Sequence, residues 1–344
     1  MVNNIEKTNV ESNLGKAHSF TIAQNMNILD ILSNKMYENP IEAIIREVYS
    51  NAIDANIENK STGKIEVVLP TKENPIFKVT DHGIGMTDAK IQKVYCEYGN
   101  STKDGDNSQI GGFGIGCKTP FAYTDQFNVS SCKNGIRNSY IAYKGDNGYE
   151  MVSVSSVKDK DHGTTVEVPV KEDDFNAFIR AANKVFFFAK EFPTFDEASQ
   201  EAFTDMLFYT GVSYGRNLEE YMANREKAKT SSFMLGSIGN GLIAEIGGVA
   251  YGIDGDYVKN NFFSGTILMH IPVGELSVQA SREKLNYNKS TVEKLKKYYK
   301  ETLEKFEKDI SDVLNDNSLT YYERHKIAKR ITVSYYEDDL ARVA

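Results

Sequence analysis

The chain has 344 residues, long enough for two domains that each bury a core of their own. Lys and Arg together number 40 against 48 Asp and Glu, and the resulting net charge of −8 argues against a dedicated nucleic-acid-binding protein. The chain shows no signal-peptide pattern and no apolar run long enough to span a bilayer, and its three cysteines lack metal-type spacing, so we expect an intracellular protein.

The N-terminal segment is polar and unpatterned. We expect residues 1–18 to form a mobile arm and Asn27–Ser33 to form a short helix. Asn39 suits a helix N-cap and Pro40 suits the first helical position, so the pair predicts that a helix begins here.

The helix that follows is predicted over Ile41–Asn56. Apolar residues recur in it at helical spacing and fall on one stripe. These residues are Ile41, Ile44, Ile45, Val48, Ala52 and Ala55. Glu47, Asn51 and Asp54 form a second stripe beside the apolar one, where polar groups are costly unless they find partners. For this helix alone, a solvated flank is the simpler interpretation.

Two strands are predicted after the helix, Lys64–Leu69 and Pro75–Thr80. A helix followed by a strand hairpin is typical of an α+β sandwich. The second strand runs into Asp81–Met86, D-H-G-I-G-M, and two glycines directly after a strand indicate a turn in which the backbone approaches something closely. A short amphipathic helix is predicted over Thr87–Glu97.

A glycine-rich stretch covers Gln109–Pro120, Q-I-G-G-F-G-I-G-C-K-T-P. Its backbone can point N–H groups at an anion, and Lys118 could add a positive charge for a phosphate. The glycine spacing differs from that of the phosphate loop G-x-x-x-x-G-K-[ST]. A flexible hinge without a ligand is the alternative interpretation, and the two are compatible.

The rest of the first unit is predicted to be an antiparallel sheet closed by a helix. Its strands are Phe127–Ser131, Ser139–Tyr143, Tyr149–Val157 and Asp161–Val170. The closing helix is Asp173–Lys190, and Glu191–Asp196 is predicted to be a linker.

A second α/β unit is predicted beyond the linker. Helices are expected at Phe203–Tyr209 and Asn217–Ala228, and strands at Leu242–Ile253 and Thr266–Ile271. Ser290–Asn315 carries one apolar seam, which predicts a long helix packed on its own domain, with a partner-binding or dimer helix as the alternative. A further short helix is expected at Tyr321–Arg330.

Four motifs appear in order along the chain: E-x-x-x-N-x-x-D-A at 47–55, D-x-G-x-G-M at 81–86, G-x-F-G-I-G at 111–116 and G-T-x-V at 163–166. Together they resemble the four boxes of the Bergerat-fold ATPases, the GHKL class shared by gyrase, heat-shock chaperones, histidine kinases and MutL. The stretch from Met86 to Phe121 resembles the ninety-kilodalton heat-shock chaperones most. The resemblance implies an α+β fold, a two-layer sandwich with a mixed, mainly antiparallel sheet.

The resemblance also implies a Mg²⁺–ATP site and roles for the helix residues. Glu47 matches the general base that activates the attacking water, and a carboxylate can accept that proton at cellular pH. Asn51 matches the Mg²⁺ ligand, an oxygen donor of the kind this ion prefers. Asp54 matches a support at the helix end, where a purely structural role is equally compatible.

For the nucleotide itself, Asp81 matches the carboxylate that accepts the adenine amino group. The resemblance implies that the adenine pocket is shaped by Gly83, Gly85 and Met86 and that Thr164 contacts the same edge of the base. It also implies a lid over about residues 87–116, from which the phosphates are cradled by Gly112, Gly114 and Gly116. No chemistry is expected from His82.

Gly274–Asn286, G-E-L-S-V-Q-A-S-R-E-K-L-N, resembles the catalytic loop of the chaperone middle domain. Arg282 matches the arginine that reaches the γ-phosphate, a task suited to a guanidinium because it is always charged and can bond bidentately. Seen alone, S-R-E is an ordinary surface helix start. The expected organisation is an ATP-binding domain over residues 1–190 and a middle- or transducer-like domain over residues 197–344.

The stretches around residues 19–56 and 114–127, and again Gly274–Asn288, are also similar to the rIIA-type lysis-inhibition proteins of T-even-like bacteriophages. That similarity implies a phage protein in the host cytoplasm, acting at the inner membrane with an rIIB-type partner, and a homodimer is compatible with it. The expected activity is a slow ATPase that works as a conformational switch. The alternatives are a non-catalytic, nucleotide-gated scaffold and a DNA-linked clamp of the MutL or MORC type, while a histidine kinase fits least.

Overall fold

A computed structural model of the chain describes residues 36–97, 116–146, 148–210, 214–234, 241–258 and 265–332. Several predictions from the sequence fall outside these ranges. They concern the arm at 1–18, the helix Asn27–Ser33, Gly112 and Gly114, and most of the lid.

The first sheet has seven strands in the order β5-β4-β3-β6-β2-β1-β7. The strands are β1 Glu66–Val68, β2 Ile76–Thr80, β3 Gln126–Lys133, β4 Ile136–Gly145, β5 Gly148–Lys158, β6 Gly163–Pro169 and β7 Thr194–Phe195. Neighbouring strands run antiparallel except for β1 and β7, which are parallel. The predicted α+β fold with a mixed, mainly antiparallel sheet is therefore confirmed.

Helices pack on one face of this sheet. They are α1 Pro40–Glu58, α2 Asp88–Cys96 and α3 Phe175–Phe188, with a 3₁₀ helix at Gly116–Ala122. Alternate residues of β2, Phe77 and Val79, are buried beneath them. The predicted start of α1 is confirmed, because the Glu42 amide donates to Asn39 Oδ1 at 3.3 Å and Pro40 occupies the first turn.

The linker predicted at Glu191–Asp196 is wrong. Residues 194–195 form β7, which pairs in parallel with β1 and so becomes the edge strand of the first sheet. The next helix, α4 Glu197–Thr210, buries Phe203 and Leu207 in the same core as α1 and α3. The sequence signal was missed because a two-residue strand is too short to show an alternating pattern.

The second sheet has four strands in the order β10-β9-β11-β8. They are β8 Phe233–Met234, β9 Leu242–Ile246, β10 Val249–Gly252 and β11 Thr266–His270. The remaining helices are α5 Leu218–Ala228, α6 Lys289–Leu314 and α7 Tyr321–Thr332. Tyr221 and Ala228 of α5 are buried in the same core as α1 and α3. Leu295, Phe306 and Ile310 of α6 are buried in the second core, which confirms that this long helix packs on its own unit. No helix within the described ranges has both the length and the apolar character needed to cross a membrane.

Candidate active site

A buried carboxylate lies between the two halves of the chain. Glu47, in the second turn of α1, is only 4% exposed, and its Oε2 accepts a hydrogen bond from Arg282 Nη1 at 2.9 Å. Arg46 Nε lies 3.5 Å from Glu47 Oε1, and neither of these two atoms has a hydrogen-bond partner among the described residues. The charges are one carboxylate and two guanidinium groups. The site therefore carries an excess positive charge, and it suits an anion.

Arg282 is held at the tip of a tight hairpin. Val278 and Leu285 form an isolated antiparallel bridge, and the amide of Gln279 donates to the carbonyl of Lys284 at 3.0 Å. Arg282 itself has φ of 55°, in the left-handed region that costs a side-chain-bearing residue roughly 1–2 kcal/mol. Strain of this kind at a buried charged residue indicates a functional constraint.

The first 3₁₀ helix brings the end of the glycine-rich stretch to the same carboxylate. A Cβ atom on Gly116 would lie 2.5 Å from Glu47 Oε2, so only glycine fits without displacement. The Lys118 ammonium is buried and donates to the carbonyl of Val94 at 2.7 Å, on α2. Its role as a phosphate ligand stays a prediction.

Asp81 lies at the end of β2 and is 6% exposed. Its Oδ1 accepts backbone N–H groups from Gly83 at 2.8 Å and from Thr164 at 3.1 Å. Burial raises the pKa of Asp81 to about 6, although both hydrogen bonds oppose this shift by favouring the charged form. A buried carboxylate with two fixed donors on one oxygen is suited to recognise a donor group of a ligand.

A chain of hydroxyl groups connects Asp81's neighbourhood to the next strand. Thr164 Oγ1 lies 2.8 Å from Ser131 Oγ, and the amide of Met86 donates to the same serine oxygen at 2.8 Å. The motif residues in the turn after β2 and on β6 are thus joined through Ser131 of β3. Ser131 could not be identified from the sequence, because nothing in its local pattern separates it from other strand residues.

The glycines after β2 are required by close backbone packing. A Cβ on Gly85, whose φ is 58°, would lie 1.9 Å from the carbonyl oxygen of Cys132. A Cβ on Gly83 would lie 2.5 Å from the backbone carbonyl carbon of Ala55 in α1. The turn is therefore pressed between α1 and β3, as the D-x-G-x-G spacing predicts.

Asn56, which the sequence analysis did not single out, holds this turn on α1. Its side chain accepts from the His82 amide at 2.9 Å and donates to the Gly63 carbonyl at 2.9 Å. The Nε2 atom of His82 lies 3.2 Å from Oε1 of Glu66, on β1. The sequence signal that could have identified Asn56 is its position on the buried face of the predicted helix.

The structure brings Glu47, Arg282 and Gly116 into direct proximity, and it brings Asp81, Gly83 and Thr164 together through hydrogen bonds. Asn51 lies one turn beyond Glu47 on α1 and Asp54 almost one turn further, and both are half-buried. Gly112 and Gly114 lie outside the described residues. The assigned roles of all these residues stay predictions.

These features define a buried polar site with an excess of positive charge, and comparison with known families shows what this part of the chain is similar to. Residues 37–164 match the family described as histidine kinase-, DNA gyrase B- and HSP90-like ATPase. This part of the chain is therefore similar to the GHKL-type ATPases. The match covers the part of the chain that carries α1, Asp81 and Thr164, while Arg282 lies outside it.

Among curated proteins, the chain is similar to the chaperone protein HtpG from several bacteria. It is 27% identical to that of Vesicomyosocius okutanii over 183 residues, which are 46% of this chain and 29% of the relative. It is 31% identical to that of Natranaerobius thermophilus over 177 residues, 44% of this chain and 27% of the relative. The matched region thus spans less than a third of these relatives' own length.

The residues present fit a Mg²⁺–nucleotide complex. Glu47 Oε1 is a buried acceptor without a hydrogen-bond partner in the described ranges, and the local charge excess is positive. The described residues contain no group of three or more His, Cys, Asp or Glu side chains able to hold a metal ion.

Proposed function

We propose that this protein binds Mg²⁺–ATP and hydrolyses it slowly, and that it works as a conformational switch. The observation that carries the proposal is the 2.9 Å bond from Arg282 to Glu47, which joins the two halves of the chain at a buried carboxylate of the ATPase domain. A switch needs such a contact, because nucleotide must alter how the two halves meet.

Adenine recognition is assigned to Asp81. Its two backbone donors occupy Oδ1, and Oδ2 is the atom that we assign to the exocyclic amino group of the base. Ser131 and Thr164 lie beside it and can hydrogen-bond the same edge, directly or through water. Gly83, Gly85 and Met86 form the wall of the pocket.

Catalysis is assigned to Glu47 and Arg282. Glu47 orients the attacking water and accepts its proton, and Arg282 stabilises the charge that develops on the transferred phosphoryl group. Asn51 is the proposed Mg²⁺ ligand, and the ion would neutralise phosphate charge when bound. Arg282 cannot serve the phosphate and Glu47 Oε2 equally, so the bond between them must loosen before turnover, and slow hydrolysis follows.

The test is phosphate release from ATP by the purified chain, compared with Glu47→Ala, with nucleotide binding measured for both. We expect the wild type to turn over and Glu47→Ala to bind without turnover. A wild type that binds no adenine nucleotide in the presence of Mg²⁺ would overturn the proposal. Glu58→Ala removes an exposed carboxylate at the end of the same helix, away from the assigned site residues, and serves as the control.

A second candidate is a nucleotide-gated scaffold without steady turnover. The ion pair between Glu47 and Arg282 favours it, because that pair engages both proposed catalytic groups with each other. Equal ATP binding by the wild type and Glu47→Ala, with hydrolysis by neither, would select this candidate. A DNA-linked clamp is disfavoured by the net charge of −8, and salt-dependent DNA binding would revive it.

The finer proposal is a role as an rIIA-like phage protein in lysis inhibition or against host defence. It rests on the similarity of the stretches around residues 19–56 and 114–127 to that family. On this proposal the protein acts in the host cytoplasm or peripherally at the inner membrane, with an rIIB-type partner and a homodimer as candidate assemblies. Copurification with a tagged rIIB-type protein, with and without ATP, tests the partner, and cell fractionation tests the location.

A further inference from the structure

A second carboxylate joins the two halves beside Arg282. The Oε2 of Glu283 accepts the backbone N–H of Glu38 at 2.8 Å, and its Oε1 accepts that of Asn39 at 2.7 Å. Both oxygens of one side chain are thus bound to consecutive amides. These amides immediately precede α1, the helix that carries Glu47.

The chemistry of this contact makes it strong and directional. Hydrogen bonds from backbone N–H groups to an ionised carboxylate are shorter and roughly twice as strong as neutral ones. A negative charge at a helix N-terminus is further stabilised by the helix dipole. Glu283 is half-buried, while both hydrogen bonds lie at an exposed position, so the strength of the contact comes from the charge and from the paired geometry.

The neighbouring contacts differ in kind. Ser281 contributes its carbonyl oxygen, which accepts from Arg46 Nη2 at 3.0 Å. Lys284 pairs with Glu38 at 2.7 Å, but both side chains are largely exposed, and such pairs contribute little. Glu283 is therefore the side chain of the hairpin tip, besides Arg282 itself, that fixes the hairpin on α1.

We propose that Glu283 is a positioning residue: its carboxylate clamps the amides of Glu38 and Asn39 and thereby sets Arg282 against Glu47. Arg282 and Glu283 are consecutive on a rigid hairpin and contact the same helix two turns apart. Releasing the Glu283 contact frees the hairpin to swing away from α1. The catalytic consequence rests on the proposed function, whereas the clamp itself does not.

The experiment compares the wild type with Glu283→Gln, Arg282→Ala and the double variant. Glu275→Gln is the matched control, because it removes another half-buried carboxylate of the same segment, one that pairs with Lys294. Steady-state hydrolysis, nucleotide affinity and hydrogen exchange of the amides of residues 38 and 39 are measured for each protein.

We expect Glu283→Gln to lower kcat about 5- to 20-fold, as for loss of a charge-assisted hydrogen bond, with ATP affinity changed less than about twofold. Exchange of the two amides should accelerate at least about tenfold, and Glu275→Gln should change neither quantity. In the Arg282→Ala background, Glu283→Gln should cause no further loss of activity, because a positioning residue acts through the group that it positions.

Unchanged exchange of the two amides in Glu283→Gln would overturn the clamp. A loss of activity of the same size in both backgrounds would overturn the positioning role. If the wild type proves to have no hydrolytic activity, the proposed function fails while the exchange measurement still decides the clamp.

Discussion

Asp81→Asn separates the stability of the fold from the binding of nucleotide. The substitution keeps the shape of the side chain and an oxygen that can accept the amides of Gly83 and Thr164, but it removes the buried charge. We expect the variant to lose adenine binding and yet to be relatively more stable than the wild type at alkaline pH. A substitution that abolishes function and raises stability is typical of functional sites.

The magnitude follows from the pKa of Asp81, which burial raises to about 6 in the folded protein, against roughly 3.9 in an unfolded chain. A shift of about two units corresponds to roughly 2.8 kcal/mol. Because the folded pKa is the higher one, the stability contributed by protonation is fully present below about pH 4 and is lost as the pH rises through about 6. Between pH 8 and pH 5 the wild type should therefore gain about 1.4 kcal/mol relative to Asp81→Asn.

The assay is chemical denaturation of both proteins at several pH values between 5 and 8. Only the difference between the two free energies of unfolding is read, because contributions of the other titrating groups cancel in it. A flat difference, or one in which the wild type gains on the variant as the pH rises, would refute the reasoning. Nucleotide binding to the wild type should weaken as the pH falls through about 6, since the carboxylate must be ionised to accept the adenine amino group.

Three further predictions concern stability. Gly163→Ala should lower the free energy of unfolding by about 3 kcal/mol or more, because φ is 111° and the new Cβ would lie 2.0 Å from a backbone oxygen. Gly252→Ala, whose new Cβ would have no atom within 4 Å, should change the free energy of unfolding little. Chemical denaturation of both variants measures the difference. The hydrogen bond to Glu245 raises the pKa of His270. The stability that this pair contributes should therefore be present below about pH 6.5 and lost as the pH rises through the raised pKa. His270→Asn should flatten this dependence of the free energy of unfolding on pH. Arg282→Gly should be more stable than Arg282→Ala by about 1 kcal/mol, because only the glycine avoids the left-handed strain, and equal stability would show that the hairpin relaxes.

Much of the first unit could be predicted from the sequence because its signals are local. The Asn39–Pro40 pair specifies where α1 begins, and the apolar spacing specifies which face it buries. The glycines at 83 and 85 mark the close approach of the turn because no other residue fits there. The fold class could be predicted from the sequence for the same reason, because it rests on the order of these local motifs.

What could not be predicted depends on contacts between distant segments. Arg46 was not singled out, because a lone Arg on a helix is usually exposed, and only the tertiary fold buries its side chain and brings the Ser281 carbonyl to it. The sequence showed Glu283 as part of an ordinary S-R-E run. Its partners are backbone amides about 245 residues away, and backbone amides carry no residue-specific signal.

The pairing of β7 with β1 determines where the chain can be cut. A truncation after Lys190 would remove the edge strand of the first sheet and expose the aromatic surface on which Phe195 and Phe203 pack against Phe186. Such a fragment would leave an unpaired strand edge beside a bare apolar patch, a combination that favours self-association. A soluble nucleotide-binding fragment should therefore extend at least through α4, and its solubility would depend more on those extra residues than on any residue of the active site.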